Sequence, residues 1–184
     1  MSLTETPVCN FGEKAKDFDL LSIEKKNVSL KDISGENGTI IMFICNHCPY
    51  VKAVIDNIAS DVNYLKTIGI ESVAIMSNDI KNYPEDSFEN MILFSKKHLF
   101  AFPYIIDETQ LIAKKYGAVC TPDFFGYNKN LELQYRGRFR ELKNLKPVGD
   151  EESDLMKAMK LISKTNKGPK KQIPSMGCNI KWFK

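Results

Sequence analysis

The stretch Thr39-Ile40-Ile41-Met42-Phe43-Ile44-Cys45-Asn46-His47-Cys48-Pro49-Tyr50-Val51 decides the fold. Its first six residues are apolar or β-branched, the mark of a strand buried on both faces. Beyond it, apolar residues fall at Val51, Val54, Ile55, Ile58, Val62 and Leu65, spaced for one face of a helix. A strand that runs into a helix puts Cys45-Asn46-His47-Cys48 at the C-terminal end of that strand. Open α/β sheets carry their chemistry there.

Working outward, the remaining elements alternate. A second buried strand is expected over 70–76, a helix over 87–98, and a short strand over 104–106. A short helix follows over 109–116, closed by Gly117. Strands at 124–127 and 131–135 flank Asn128-Lys129-Asn130 as a hairpin, and 154–163 is a last amphipathic helix. Strand alternating with helix implies parallel pairing with right-handed crossovers, and the hairpin adds antiparallel strands. The expected fold is α/β: a mixed central sheet with helices on both faces. The domain spans 1–163, with a lysine-rich tail over 164–184. Ile173 to Phe183 is nevertheless apolar and holds the single tryptophan, so this tail is expected to dock through Ile180, Trp182 and Phe183, on its own domain or on a neighbouring chain.

The chain has 184 residues, 43% hydrophobic and 27% charged, enough for one domain with a sizeable core. A net charge of +3 with scattered lysines gives no footprint for nucleic acid. The longest apolar stretch, 40–45, is strand-sized, so no membrane span is expected. The N-terminus shows no basic region followed by an apolar one, and the cytoplasm is the expected compartment. Thiols stay reduced there, and five cysteines (Cys9, Cys45, Cys48, Cys120, Cys178) cannot all pair within one chain.

Three readings of Cys45 and Cys48 stand side by side. Two buried core cysteines are the plainest. A structural zinc site would draw a second ligand pair from elsewhere, yet His98 is the one other histidine and no second C-x-x-C exists. A redox pair is the third. At a strand-to-helix junction, unpaired N–H groups and the helix dipole favour a thiolate. Asn46 is a good helix cap and Pro49 suits a first turn. On that basis Cys45 is the exposed nucleophile with the lowest pKa, and Cys48, one turn in, is the resolving thiol. His47 is a candidate base for Cys45, a cap, or a solvated surface residue. Neither metal nor cofactor is expected.

Cys120-Thr121-Pro122-Asp123-Phe124-Phe125 resembles the cis-proline loop of the thioredoxin-like superfamily, and Thr121 and Pro122 would then face the cysteine pair. Gly12 to Leu20 and Val28 to Asp32 look like the opening of the redoxin (AhpC/TSA) branch. Phe43 to Val51 and Pro174 to Trp182 are similar to its peroxiredoxin-like subgroup with a C-N-H-C-P motif. The resemblance implies a thioredoxin-like three-layer α/β/α sandwich with an N-terminal extension and a C-terminal tail. It also implies a thiol–disulfide oxidoreductase, or else a thiol peroxidase whose Cys45 is peroxidatic and whose Cys48, Cys120 or Cys178 resolves. Its partners would be a protein disulfide or peroxide and a thiol reductant; a homo-oligomer is left open. The rival from another class is a non-enzymatic binding module. The chain departs from peroxiredoxins, which carry proline, three residues, threonine, two residues, cysteine. Counted back from Cys45, those slots hold Gly38 and Met42; from Cys48, Ile41 and Cys45. Arg136, Arg138 and Arg140 alternate with Gly137 and Phe139, so as a strand they would share one side. They would guard an edge, or one of them would steady the Cys45 thiolate.

Overall fold

The structure, a computed structural model, describes residues 3–184; residues 1 and 2 of the expected domain lie outside it. In chain order the strands and helices are β1 (Leu3–Glu5), β2 (Asp19–Leu21), β3 (Asn27–Ser29), β4 (Gly38–Phe43), α1 (Pro49–Lys52), α2 (Ile55–Lys66), β5 (Ile70–Met76), α3 (Phe88–Lys97) and β6 (Tyr104–Ile106). Then come α4 (Leu111–Tyr116), β7 (Cys120–Thr121), β8 (Asp123–Tyr127), β9 (Leu133–Arg136), β10 (Leu142–Lys143), β11 (Lys146–Pro147), α5 (Asp154–Thr165) and β12 (Met176–Asn179).

The central sheet has the order β6-β5-β4-β8-β9. β4 pairs in parallel with β5 and antiparallel with β8, so the sheet is mixed, as expected. Every residue of β4 is buried because helices cover both faces. On one face Ile40, Met42 and Ile44 pack with Val51, Ile55, Ile58 and Val62 of the first helices and with Met159 and Ile162 of α5. On the other, Ile41 and Phe43 pack with Phe125, Ile112 and Tyr116. Among the described residues no helix is long and apolar enough to cross a membrane.

Local chemistry sets the ends of the elements. The Ser87 hydroxyl accepts from Asn90 N at 3.3 Å and opens α3; the Ser153 hydroxyl accepts from Met156 N at 3.0 Å and opens α5. Gly117, at φ +62°, closes α4 as expected. The hairpin link is longer than its sequence suggests: the Asn128 carboxamide oxygen accepts from both Asn130 N and Glu132 N, and pairing resumes at Leu133.

Two expectations are corrected. The helix after β4 is not continuous: it breaks at Val54, whose φ of −131° leaves the helical region. The three arginines do not share a side, because β9 ends at Arg136. Arg136 is buried, with Nη2 donating to Asp123 Oδ2 at 3.0 Å and to the Gly117 carbonyl at 2.7 Å. Arg138 instead pairs with Asp154 at 2.6 Å, and Arg140 reaches the Glu151 carbonyl.

In the tail, β12 pairs antiparallel with both β1 and β7, in the register Cys178 opposite Thr121. Ile180 is buried, whereas Trp182 and Phe183 are 36% and 47% exposed. Of the three expected anchors only Ile180 is sunk in this chain; hydrogen bonds fix the rest, including Lys181 N to Asn78 Oδ1 at 2.9 Å and Phe183 N to Gln110 Oε1 at 2.8 Å.

Candidate active site

β4 ends two residues before Cys45, and α1 starts one residue after Cys48. The N-cap of α1 is therefore Cys48, at φ −64° and ψ 123°, with Pro49 in the first helical position. This corrects the expectation that Asn46 caps the helix. The Asn46 side chain is engaged elsewhere: its Oδ1 accepts from the Tyr104 hydroxyl at 3.0 Å, and its Nδ2 donates to the Glu85 carbonyl at 3.1 Å. The helix thus starts two residues later than expected, and Cys48 rather than Cys45 lies next to its first turn. Nor is Cys45 exposed: both thiols are buried, at 1% and 0% accessibility.

Thr121 joins the two sulfurs. Its hydroxyl lies 3.3 Å from Cys45 Sγ, and its carbonyl oxygen lies 3.1 Å from Cys48 Sγ. The Thr121–Pro122 bond is cis. The tail buttresses this loop: the Ser175 hydroxyl donates to the Pro122 carbonyl at 2.7 Å. A Cβ on Gly177 would run into the Thr121 carbonyl oxygen, so only glycine allows so close an approach.

The two thiols titrate in opposite directions. Cys48 is drawn down to about 5, first by a hydrogen bond from Cys45 and then by the Val51 and Cys178 backbone N–H groups and the Cys178 thiol. Cys45 is pushed well up, first by burial and then by hydrogen-bonding the Cys48 sulfur. Burial also raises Cys120, whose thiol donates to the Pro122 carbonyl at 3.6 Å, and lifts Cys178 to about 12. Cys9 is half-buried beside Arg136 and Gln172 and stands at about 11. Of the five thiols Cys48 is the one whose pKa is lowered; the other four are raised.

His47 is not a solvated surface residue. Its ring stacks on Tyr83 at 5.6 Å, and Nδ1 lies 2.7 Å from Asp86 Oδ2. The hydrogen bond to Asp86 raises the imidazole pKa, against burial. Nε2 is buried and makes no hydrogen bond in the structure. Asp86 escaped the sequence reading, where it is one more acid ahead of a helix. Its carboxylate is wholly buried and takes Asn46 N at 2.8 Å, His47 N at 3.3 Å and Asn78 Nδ2 at 2.8 Å besides the imidazole. It is the clamp that shapes the Cys-Asn-His-Cys loop. Cys45 Sγ, an imidazole nitrogen and an Asp86 oxygen lie within 4.8 Å of one another, a grouping of metal-ligand size. The four donors already on the carboxylate make a proton network the better fit.

The three arginines are engaged away from both sulfurs, with Asp123, Asp154 and the Glu151 carbonyl. Arg136 instead serves Asp123, the residue after the cis-proline, whose carboxyl burial pushes up to about 6 while the guanidinium opposes the rise. The folded state then holds this proton more tightly than the unfolded chain. Stability from this group is full below the ordinary carboxylate range and is lost as pH rises through about 6. Asp123→Asn is expected to flatten that slope in thermal melts between about pH 4 and 6; an unchanged slope would contradict the assignment.

Residues 11–140 match the AhpC/TSA family. An uncharacterized conserved protein from Geobacillus kaustophilus is similar at 38% identity over 100% of this chain and 97% of its own, with a TM-score of 0.94. A hypothetical protein from Sinorhizobium meliloti is 33% identical over 98% of both chains, with a TM-score of 0.90. A secreted disulfide oxidoreductase of Mycobacterium tuberculosis shares the fold at 14% identity, with a TM-score of 0.55 over 64% of this chain and 80% of its own. No curated protein matches the sequence. With the mixed sheet, the strand-end cysteines and the cis-proline loop in place, the chain belongs to the AhpC/TSA family, the redoxin branch of the thioredoxin-like superfamily.

Proposed function

We propose that the protein is a thiol–disulfide oxidoreductase that cycles Cys48 and Cys45 between dithiol and disulfide. The observation that carries this reading is the Cys48 sulfur at the N-terminus of α1, its thiolate stabilised by the Cys45 thiol. The roles expected from the sequence are thereby exchanged: Cys48 attacks and Cys45 resolves. The Cys48 thiolate attacks one sulfur of a substrate disulfide and the S–S bond breaks. The other sulfur leaves with the electron pair and takes up a proton. Cys45, once deprotonated, attacks the Cys48 sulfur, releasing the second substrate thiol and leaving a Cys45–Cys48 disulfide. A thiol reductant, which the cytoplasm would supply, restores the dithiol. His47, hydrogen-bonded to Asp86 and beside Cys45, is placed to take the Cys45 proton. A groove of about 200 Å³ beside Pro122, lined by Tyr50, Phe139, Leu142, Arg138 and Arg140, offers room for a substrate segment.

The burial of both sulfurs favours a second reading, since a small oxidant reaches them more readily than a protein disulfide does. In a thiol peroxidase the Cys48 thiolate attacks a peroxide oxygen, the O–O bond breaks, and water or an alcohol leaves. Cys45 then displaces hydroxide from the Cys48 sulfenic acid, and the same disulfide results. Two assays separate the readings. Dithiothreitol-driven reduction of insulin that stops in Cys48→Ser supports the first, and thiol-dependent consumption of peroxide without insulin reduction supports the second. Inactivity in both assays would overturn both and leave a binding module.

A further inference from the structure

Three of the five thiols converge. Cys45, Cys48 and Cys178 belong to one buried cluster, and the Cys45 and Cys178 thiols both donate to the Cys48 sulfur. Thr121 lies among them: its hydroxyl is 3.3 Å from Cys45 Sγ, its carbonyl oxygen 3.1 Å from Cys48 Sγ, and Cys178 is its partner in the β7–β12 register. The sulfurs come from the end of β4, the cap of α1 and a strand paired on both sides, so the fold holds them in place before any ligand arrives. Sulfurs in hydrogen-bonding contact have the spacing of a trigonal thiolate centre, where metal–sulfur bonds of about 2.3 Å put the sulfurs roughly 4 Å apart. The surroundings suit metal-bound thiolates. The Val51 and Cys178 backbone N–H groups bond the Cys48 sulfur, and outer hydrogen bonds of this kind orient ligands and spread their charge. Lys181 Nζ donates to the Asn179 carbonyl at 2.6 Å and to its Oδ1 at 3.0 Å, and brings a positive charge close to Cys178.

We propose that Cys45, Cys48 and Cys178 form a trigonal thiolate site for copper(I). Thiolate sulfur is a soft ligand that selects this ion. Zinc normally takes four ligands, whereas copper(I) is satisfied by three sulfurs. Asp86 is not among the ligands, since its carboxylate already holds four donors. Binding is no redox step: copper stays at +1, three sulfur–copper bonds form, and the protons still on the thiols pass to solvent. The groove beside Pro122 is walled by Tyr50 and Met176, two residues from Cys48 and Cys178, and offers the approach. The site goes beyond the oxidoreductase reading and shares two sulfurs with it. A Cys45–Cys48 disulfide leaves no trigonal set, so bound copper and the disulfide exclude one another.

The test uses the reduced full chain carrying Cys9→Ser, which removes the half-buried thiol outside the cluster. Copper(I) is titrated into it without oxygen against the chelator bicinchoninate, and X-ray absorption at the copper edge counts the sulfur neighbours. One copper per chain with three sulfur neighbours is expected. Cys178→Ser in this background is expected to weaken binding at least about tenfold. Cys120→Ser is expected to bind as the parent does, because the Cys120 thiol is turned to the Pro122 carbonyl. The sulfur count is made on the parent and does not depend on how the variants fold. Two sulfur neighbours, unchanged affinity in Cys178→Ser, or no copper held against the chelator would each overturn the proposal. None of these results touches the redox reading, which insulin reduction and peroxide consumption decide on metal-free protein.

Discussion

Cys48→Ser is expected to lower turnover by at least about 10³-fold, because it removes the one thiol whose pKa is lowered. Cys45→Ser should still form the mixed disulfide and lose chiefly the steps that Cys45 performs. The pH profile gives a second readout. An ordinary thiol, with a pKa near 8.5, gains reactivity about tenfold per unit between roughly pH 6 and 8. With Cys48 at about 5, its reaction with iodoacetamide should be nearly flat over that range. A steep rise would return the low pKa to another cysteine. The physical basis is first the hydrogen bond from Cys45 and then the backbone N–H groups of Val51 and Cys178.

Asp86→Ala should be the most damaging single change in the Cys-Asn-His-Cys loop. It strands Asn46 N, His47 N, His47 Nδ1 and Asn78 Nδ2, all of which the carboxylate now satisfies. Each buried donor left unpaired costs about 1–3 kcal/mol, and the terms are not additive. A loss of roughly 3–5 kcal/mol in denaturant unfolding is expected. Asp86→Asn keeps the acceptor for the backbone N–H groups and should cost less, yet it removes the negative charge beside the imidazole. His47 is therefore expected to titrate at a lower pH in that variant when followed by NMR, since the Asp86 hydrogen bond is what raises it. An unshifted imidazole would show that Asp86 does not set the protonation of His47.

What local pattern controls was legible in the sequence. The apolar run before Cys45 and the Ser87 and Gly117 boundaries depend on near neighbours and lie where expected. The helical spacing after Cys45 is real but broken at Val54, and the cis Thr121-Pro122 loop was read from the family resemblance. The cap of α1 was not legible, because the competing claim on Asn46 comes from Tyr104, 58 positions away. Asp86 was hidden for the same reason: an acid ahead of a helix looks like surface until the loop folds over it. The arginine cluster misled because alternation predicts a common side only while the strand continues. β9 stops at Arg136, and the buried Asp123 then claims one guanidinium of the three. The sequence placed the two cysteines at the right end of the right strand, and tertiary contacts decided which of them faces the helix.

Pairing of β1 with β12 and of β12 with β7 also bears on how the molecule is made. Cys45 and Cys48 leave the ribosome long before the strand that covers them. A nascent chain can fold β4 and α1 while Cys178 is still unsynthesised. During that interval the thiol pair lies more open to oxidants and to foreign cysteines than in the finished protein, where both sulfurs are buried. Contacts between such distant parts of a chain also form slowly, because the intervening loop must close first. The exposed interval therefore continues after synthesis, and a cell short of reductant would damage this protein chiefly while it is young.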